Sequence, residues 1–335
     1  MTRRIDLALG STSVGLIWDL GSLDWIASSV AARFPHSTSP SKATIRISEV
    51  PSDRPPDRPA DRPPELPGCG AAGAPISEVD GVWTSKRNEI LFYEWMGSRF
   101  RLDASKGAGE VQLSSNAAAK PDQVVALLES AAWVLAHGQG TFHLHAAAVC
   151  RGRLAALLVG PSGSGKSTTA LALAERGFDL LADDQLILER APSGDIVAKA
   201  PPANSLRLFE DTFRRTGRAA LLERARPIEN GDKLSLPYSH LGVPLADAAV
   251  VRSLFILRRA DDEVTRFTPL PPSPALHQLC LQSAGLANHH GQNAQHLALL
   301  KELASLPGTC ELAVGADTLL DPTNLVERIG TGWAT

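Results

Sequence analysis

Residues 153–159, Arg-Leu-Ala-Ala-Leu-Leu-Val, run directly into Gly160-Pro161-Ser162-Gly163-Ser164-Gly165-Lys166-Ser167. A short apolar run of this kind reads as a parallel strand buried on both faces. The eight residues after it match Gly-x4-Gly-Lys-Ser, and they stand in the strand-then-helix context that gives the spacing physical meaning. The glycines let the backbone curl so that its N–H groups point at phosphate oxygens. Lys166 has the length to reach β- and γ-phosphates, Ser167 offers a hydroxyl to Mg²⁺, and Thr168 is grouped with the nucleotide contacts. A helix expected over residues 167–176 aims its positive end at the same phosphates. The blander reading, a Gly/Ser-rich turn, leaves the match at every fixed position unexplained.

Gly177 is placed to end that helix. Residues 178–182, Phe-Asp-Leu-Leu-Ala, read as the next strand and deliver Asp183 and Asp184 to its C-terminal end. In parallel α/β sheets ligands sit at that edge. One carboxylate can hold Mg²⁺, directly or through water, and the other can accept the proton of an attacking hydroxyl. The alternative is that one of them only caps the next turn. The spacing excludes some relatives: there is no LSGGQ-like signature of transport-type ATPases and no NKxD-type base-reading motif of GTPases. Small-metabolite kinases of the shikimate kinase type also place acids this close to the loop, usually as Asp-x-Asp, and remain the runner-up.

Composition narrows the class. The 335 residues are 44% hydrophobic and 21% charged with a net charge of -3, which fits a globular chain without a field that would pull it onto nucleic acid or an anionic membrane. No apolar run approaches the roughly 18 residues a membrane-spanning helix needs, and the start has no sustained apolar segment of the secretory type. Cys69, Cys150, Cys280 and Cys310 are scattered without a CxxC pair, so reduced thiols and a cytoplasmic setting are expected.

Residues 1–115 read as a small α+β region and residues 116–335 as the phosphate-loop domain. Strands are expected at 13–20, 43–50, 89–95 and 99–103, with a helix over 23–34 that Ser22 can cap. Between them Asp-Arg-Pro recurs at 53–55, 57–59 and 61–63. Proline removes backbone donors and biases its predecessor away from helix, so 51–75 is expected to be a flexible Pro/Gly-rich loop. A solvated insertion or a partner-recognition motif would both suit it. Residues 121–136 repeat apolar positions at helical spacing, with Pro121 suited to the first turn. Upstream of the loop, residues 142–149 carry His143 and His145. Either can contact a transferred phosphate or polarise an acid, or serve as a structural histidine.

The stretch from His145 to Asp184 resembles the HPr kinase/phosphorylase superfamily, whose members share a phosphoenolpyruvate-carboxykinase-like nucleotide fold. The resemblance is carried by a histidine separated from Gly160 by 14 residues, by GPSGSGKSTTALALAERGFDLLADD, and by the Leu-Ala-Asp-Asp ending. It implies an α/β core of that type, His145 as the active-site histidine, residues 160–167 as the phosphate loop, Asp183 as base and Asp184 as a metal-associated acid, the last two being interchangeable. Position 168 is Thr where bacterial HPr kinases commonly carry Glu, and their later signature segment has no clear copy here. The chain is more similar to HPr-kinase-related proteins with a divergent N-terminal region, among them lasso-peptide precursor kinases that phosphorylate a C-terminal serine.

Lys233, in residues 228–237, reads as a phosphate contact or an exposed turn lysine. Arg207 and the pair Arg258-Arg259, after a strand expected at 254–257, are further candidates for a catalytic role, with a structural or solvated role as the favoured reading. His289, His290 and His296 have no acidic or cysteine partner at a ligand-like spacing, so no metal site is expected there. A helix over 295–306, a strand at 309–314 and a helix around 323–329 close the domain. Taken together, these readings predict an ATP- and Mg²⁺-dependent kinase acting on a hydroxyl, with a serine of a peptide or small protein as acceptor. Nucleic acid and membrane are not expected partners, and a homo-oligomer is compatible with the resemblance. A metabolite kinase and a nucleotide-dependent regulatory module without turnover are the alternatives.

Overall fold

The computed structural model describes residues 2–19, 23, 25–26, 30, 37, 41–50, 77–79, 82–87, 90–201, 205–215, 218–227, 233–260, 263–283, 293–320 and 322–331. The expected loop at 51–75, Ser22 with most of the helix expected over 23–34, and His289 and His290 lie outside them. The chain forms a mixed α/β structure in two compact units, which part between Thr141 and Phe142.

The first unit is built on a sheet of eight described strands: β1 (Thr2–Leu9), β2 (Thr12–Asp19), β3 (Ala43–Val50), β4 (Ser77–Val79), β5 (Val82–Arg87), β6 (Ile90–Trp95), β7 (Ser98–Asp103) and β8 (Ala108–Ser114). Their order is β1-β2-β3-β8-β7-β6-β5-β4, with β3 parallel to both β2 and β8 and the other pairs antiparallel. Alternation on β1 and β7 sends Leu7, Leu9, Phe100 and Leu102 to one buried cluster. Helix α1 (Pro121–Gly138) lays Val124, Val125, Leu128, Ala131 and Leu135 into that cluster. The apolar stripe of α1 packs in that cluster, and the first compact unit runs through this helix to Thr141.

The second unit holds a mixed sheet in which β9 (Thr141–Leu144), β10 (Ala146–Arg151), β11 (Leu154–Val159), β12 (Asp179–Ala182), β13 (Leu186–Arg190), β14 (Ile196–Lys199) and β18 (Ala248–Arg259) lie in the order β12-β10-β11-β18-β14-β13-β9. Strand β20 (Cys310–Val314) joins the C-terminal half of β18 in parallel, and β19 (Arg266–Pro269) pairs with β20. Three further strands, β15 (Ser205–Phe209), β16 (Arg226–Pro227) and β17 (Lys233–Pro237), form a separate small sheet in the order β15-β17-β16.

The loop strand β11 is parallel to β18, as its apolar run predicts, but antiparallel to β10. The sheet is therefore mixed, because a tight turn at Gly152 folds β10 back on β11. Both faces of β11 are covered. Leu158 packs with Leu171 and Leu173 of α2 (Lys166–Ala174), with Phe178 and with the small sheet's Leu206 and Leu236. Leu157 and Val159 pack with Ala275 and Leu279 of helix Pro272–Leu281 and with Leu299, Leu300 and Leu303 of helix Asn293–Ala304. Each fully buried leucine contributes about 1.5–3 kcal/mol of transfer free energy. The result is a three-layer arrangement that holds the C-terminal end of β11 rigidly in place.

Candidate active site

Strand direction brings the predicted residues together. β10 runs antiparallel to β11 and to β12, with Ala146 opposite Val159 and Ala148 opposite Ala182. The start of β10 therefore lies at the same sheet edge as the ends of β11 and β12. His145 precedes β10, Gly160 follows β11, and Asp183 and Asp184 follow β12, so one edge collects all of them.

Between β11 and α2 the backbone turns tightly. Gly163 and Gly165 have φ of +82° and +98°, a region that costs an L side chain about 1–2 kcal/mol. Gly160 is restricted for another reason: a Cβ there would lie 2.4 Å from the carbonyl oxygen of Leu257. Pro161, Ser162 and Gly163 are exposed, while Ser164 is buried. Among the described residues the buried Ser164 hydroxyl has no hydrogen-bond partner.

Lys166 is buried, and its Nζ donates to the carbonyls of Gly160 at 2.7 Å and Pro161 at 3.1 Å. Burial pulls its pKa down to about 8; Asp184 and Asp183 oppose that pull and Lys233 adds to it. The two acids and both lysines thus share one electrostatic neighbourhood. Ser167 and Thr168 are half-buried in the first turn of α2. The Ser167 hydroxyl donates to the backbone oxygen of Asp183 at 3.2 Å, tying the helix start to the end of β12.

The two acids differ in setting. Asp183 is 2% exposed and accepts a hydrogen bond from the Tyr238 hydroxyl at 2.7 Å. Asp184 is more open, and its Oδ1 lies 3.2 Å from His145 Nε2. His145 is also held by its backbone N–H, which donates to the carbonyl of Gln282. Tyr238 was not foreseen in the sequence. No spacing rule links a tyrosine to a carboxylate 55 positions earlier, and only the small sheet brings them together.

Lys233 is the first residue of β17 and not a turn residue; its Nζ lies 5.5 Å from the ring centroid of Phe209, its cross-strand partner. Arg207 lies on β15, while Arg258 pairs with Glu311 at 2.6 Å and Arg259 is exposed at the end of β18. His143 has a different neighbour from His145. It lies within electrostatic reach of the buried His296, and burial lowers its pKa to about 4. Among the described residues no cluster of three or more His, Cys, Asp or Glu side chains is arranged to hold a metal. Cys150, Cys280 and Cys310 are free thiols, and no described helix is long and apolar enough to cross a membrane.

No protein-family model and no curated protein sequence matches the chain. Among solved structures, the HPr(Ser) kinase/phosphatase from Coxiella burnetii matches over 48% of this chain and 87% of that chain, at 15% identity and a TM-score of 0.24.

Proposed function

We propose that the chain is an ATP- and Mg²⁺-dependent kinase with a phosphoenolpyruvate-carboxykinase/HPr-kinase-like phosphate-loop core, and that it transfers the γ-phosphoryl group to a serine hydroxyl of a peptide or small protein. The observation that carries this reading is the buried Asp183 beside Asp184, at the same sheet edge as Lys166 and the glycine-rich turn.

ATP is the first substrate. The loop amides between Ser162 and Thr168 and the start of α2 suit phosphate oxygens, and Lys166 would exchange the carbonyls of Gly160 and Pro161 for them. Lys233 would add charge from the facing strand. Ser167 and Asp184 supply hard oxygen donors of the kind Mg²⁺ takes alongside substrate phosphates, so this donor set fits the ion. When bound, Mg²⁺ would neutralise charge on the β- and γ-phosphates.

The acceptor hydroxyl oxygen attacks the γ-phosphorus in line. The bond from that phosphorus to the β–γ bridging oxygen breaks, and its electron pair leaves with ADP. The hydroxyl proton passes to Asp183, while His145 steadies Asp184 through their contact. Positioning and charge neutralisation supply most of the acceleration. A cytoplasmic setting suits both ATP and the free thiols.

The test is intact-mass analysis of host lysate incubated with ATP, Mg²⁺ and either wild-type chain or Asp183→Asn. A peptide or protein that gains one phosphoryl group only with wild type supports the reading and names the acceptor. ATP consumption tied to a diffusible metabolite would replace it with a metabolite kinase, and ATP binding without turnover would replace it with a regulatory module.

A further inference from the structure

We propose that Tyr238 is a positioning residue: its hydroxyl, donating to Asp183 Oδ1 at 2.7 Å from inside the core, holds the carboxylate in the orientation that an incoming acceptor hydroxyl requires. The proposal rests on the kinase reading and deepens it.

Three observations carry it. First, both partners are buried, at 4% and 2% exposure, so neither exchanges freely with water. Tyr238 packs its ring among Leu206, Leu208, Phe213 and Leu236. A phenylalanine would satisfy that packing; the hydroxyl adds only the bond to Asp183, and a buried phenol needs such a bond to offset its desolvation. Second, Tyr238 is itself fixed. It follows β17 directly and opens a short 3-10 turn in which its carbonyl accepts from the N–H of Leu241 at 3.0 Å. Third, the backbone of Asp183 is anchored separately, because its carbonyl accepts from the Ser167 hydroxyl. With the backbone tied to α2 and the carboxylate tied to the small sheet, the remaining rotation about the Asp183 side chain is restricted.

The same strand reaches both ends of the site. Lys233 begins β17 and Tyr238 follows its last residue, a span of roughly 16 Å for an extended segment. Lys233, at the start of β17, couples electrostatically with Lys166, while Tyr238, just past its end, meets Asp183. In the transfer step Tyr238 keeps its own proton and Asp183 takes that of the acceptor.

The test uses the full chain, whose only tyrosines are Tyr93 and Tyr238. Labelling the tyrosine ζ carbon with ¹³C therefore yields two resonances, which Tyr238→Phe assigns. In Asp183→Asn the Tyr238 resonance is expected to move while that of Tyr93 stays. For Tyr238→Phe, affinity for ATP with Mg²⁺ should stay within about 2-fold and kcat on the lysate acceptor should fall roughly 10- to 100-fold, the size of a misplaced group. The double variant with Asp183→Asn should be no slower than Asp183→Asn alone. An unmoved Tyr238 resonance, an unchanged kcat, or equal losses in affinity and turnover would overturn the proposal. If the wild type transfers nothing, the kinase reading and the positioning role fall together; the resonance still decides separately whether the hydrogen bond exists.

Discussion

Asp183 pairs a cost with a function. A carboxylate that is 2% exposed is expensive to keep charged, and the Tyr238 hydroxyl and the nearby lysines offset that cost. Asp183→Asn keeps the shape but removes the base and the charged acceptor of the Tyr238 hydroxyl. It should lower kcat by about 10²–10⁴-fold, the range for general-base loss, with ATP affinity retained; steady-state kinetics beside equilibrium binding would show the split. His296 makes a different prediction. It is fully buried and stacks on Phe142 at 4.6 Å, and burial, helped by His143, lowers its pKa from 6.5 to about 4. As pH falls below 6.5 the unfolded chain takes up this proton first, so stability is lost between pH 6.5 and 4 and is intact above. Denaturant midpoints measured from about pH 7 to about pH 4.5 should fall, and less steeply in His296→Gln. At this scale the sequence was most legible where chemistry is local. Lys166, Ser167, Asp183 and Asp184 sit in one short stretch with fixed spacing. Tyr238 was silent because its role depends on a contact made across 55 positions.

Elements decide which residues meet. Residues 142–149 divide at His145 between β9 and β10, and β10 turns back on β11 at Gly152. Antiparallel pairing is what places His145 at the same sheet edge as the glycine-rich turn and the two acids. Apolar runs do not encode strand direction, so the mixed sheet was out of reach of periodicity alone. Helix α1 shows the same limit, since its stripe predicts a buried face but not which sheet covers it. Leu128→Ala should cost about 2–5 kcal/mol of unfolding free energy, because Leu128 sits in the first unit's core. Chemical denaturation followed by tryptophan fluorescence would measure it. On the small sheet, Lys233→Ala should weaken ATP binding by roughly 3- to 10-fold at low salt and less at high salt, as expected for a half-buried cation acting through charge. Binding measured at two ionic strengths checks that sign.

At the scale of the whole molecule, the two compact units differ in character. The first unit gathers Leu7, Phe100, Leu102 and the face of α1 into one core; no chemistry was legible in it from sequence, and none is assigned to it. The second unit buries both faces of its loop strand, which keeps the glycine-rich turn, the two acids and the small sheet in fixed relation. A preformed site of this kind should bind triphosphate before any acceptor arrives. Isothermal titration of the full chain with ATP and Mg²⁺ tests that claim most directly, with wild type, Lys166→Ala and Asp183→Asn compared. The account predicts that wild type binds, that Lys166→Ala loses about 10-fold or more through the missing charged hydrogen bonds, and that Asp183→Asn binds like wild type. A wild-type chain that does not bind ATP, or a Lys166→Ala variant that binds it equally well, would contradict it.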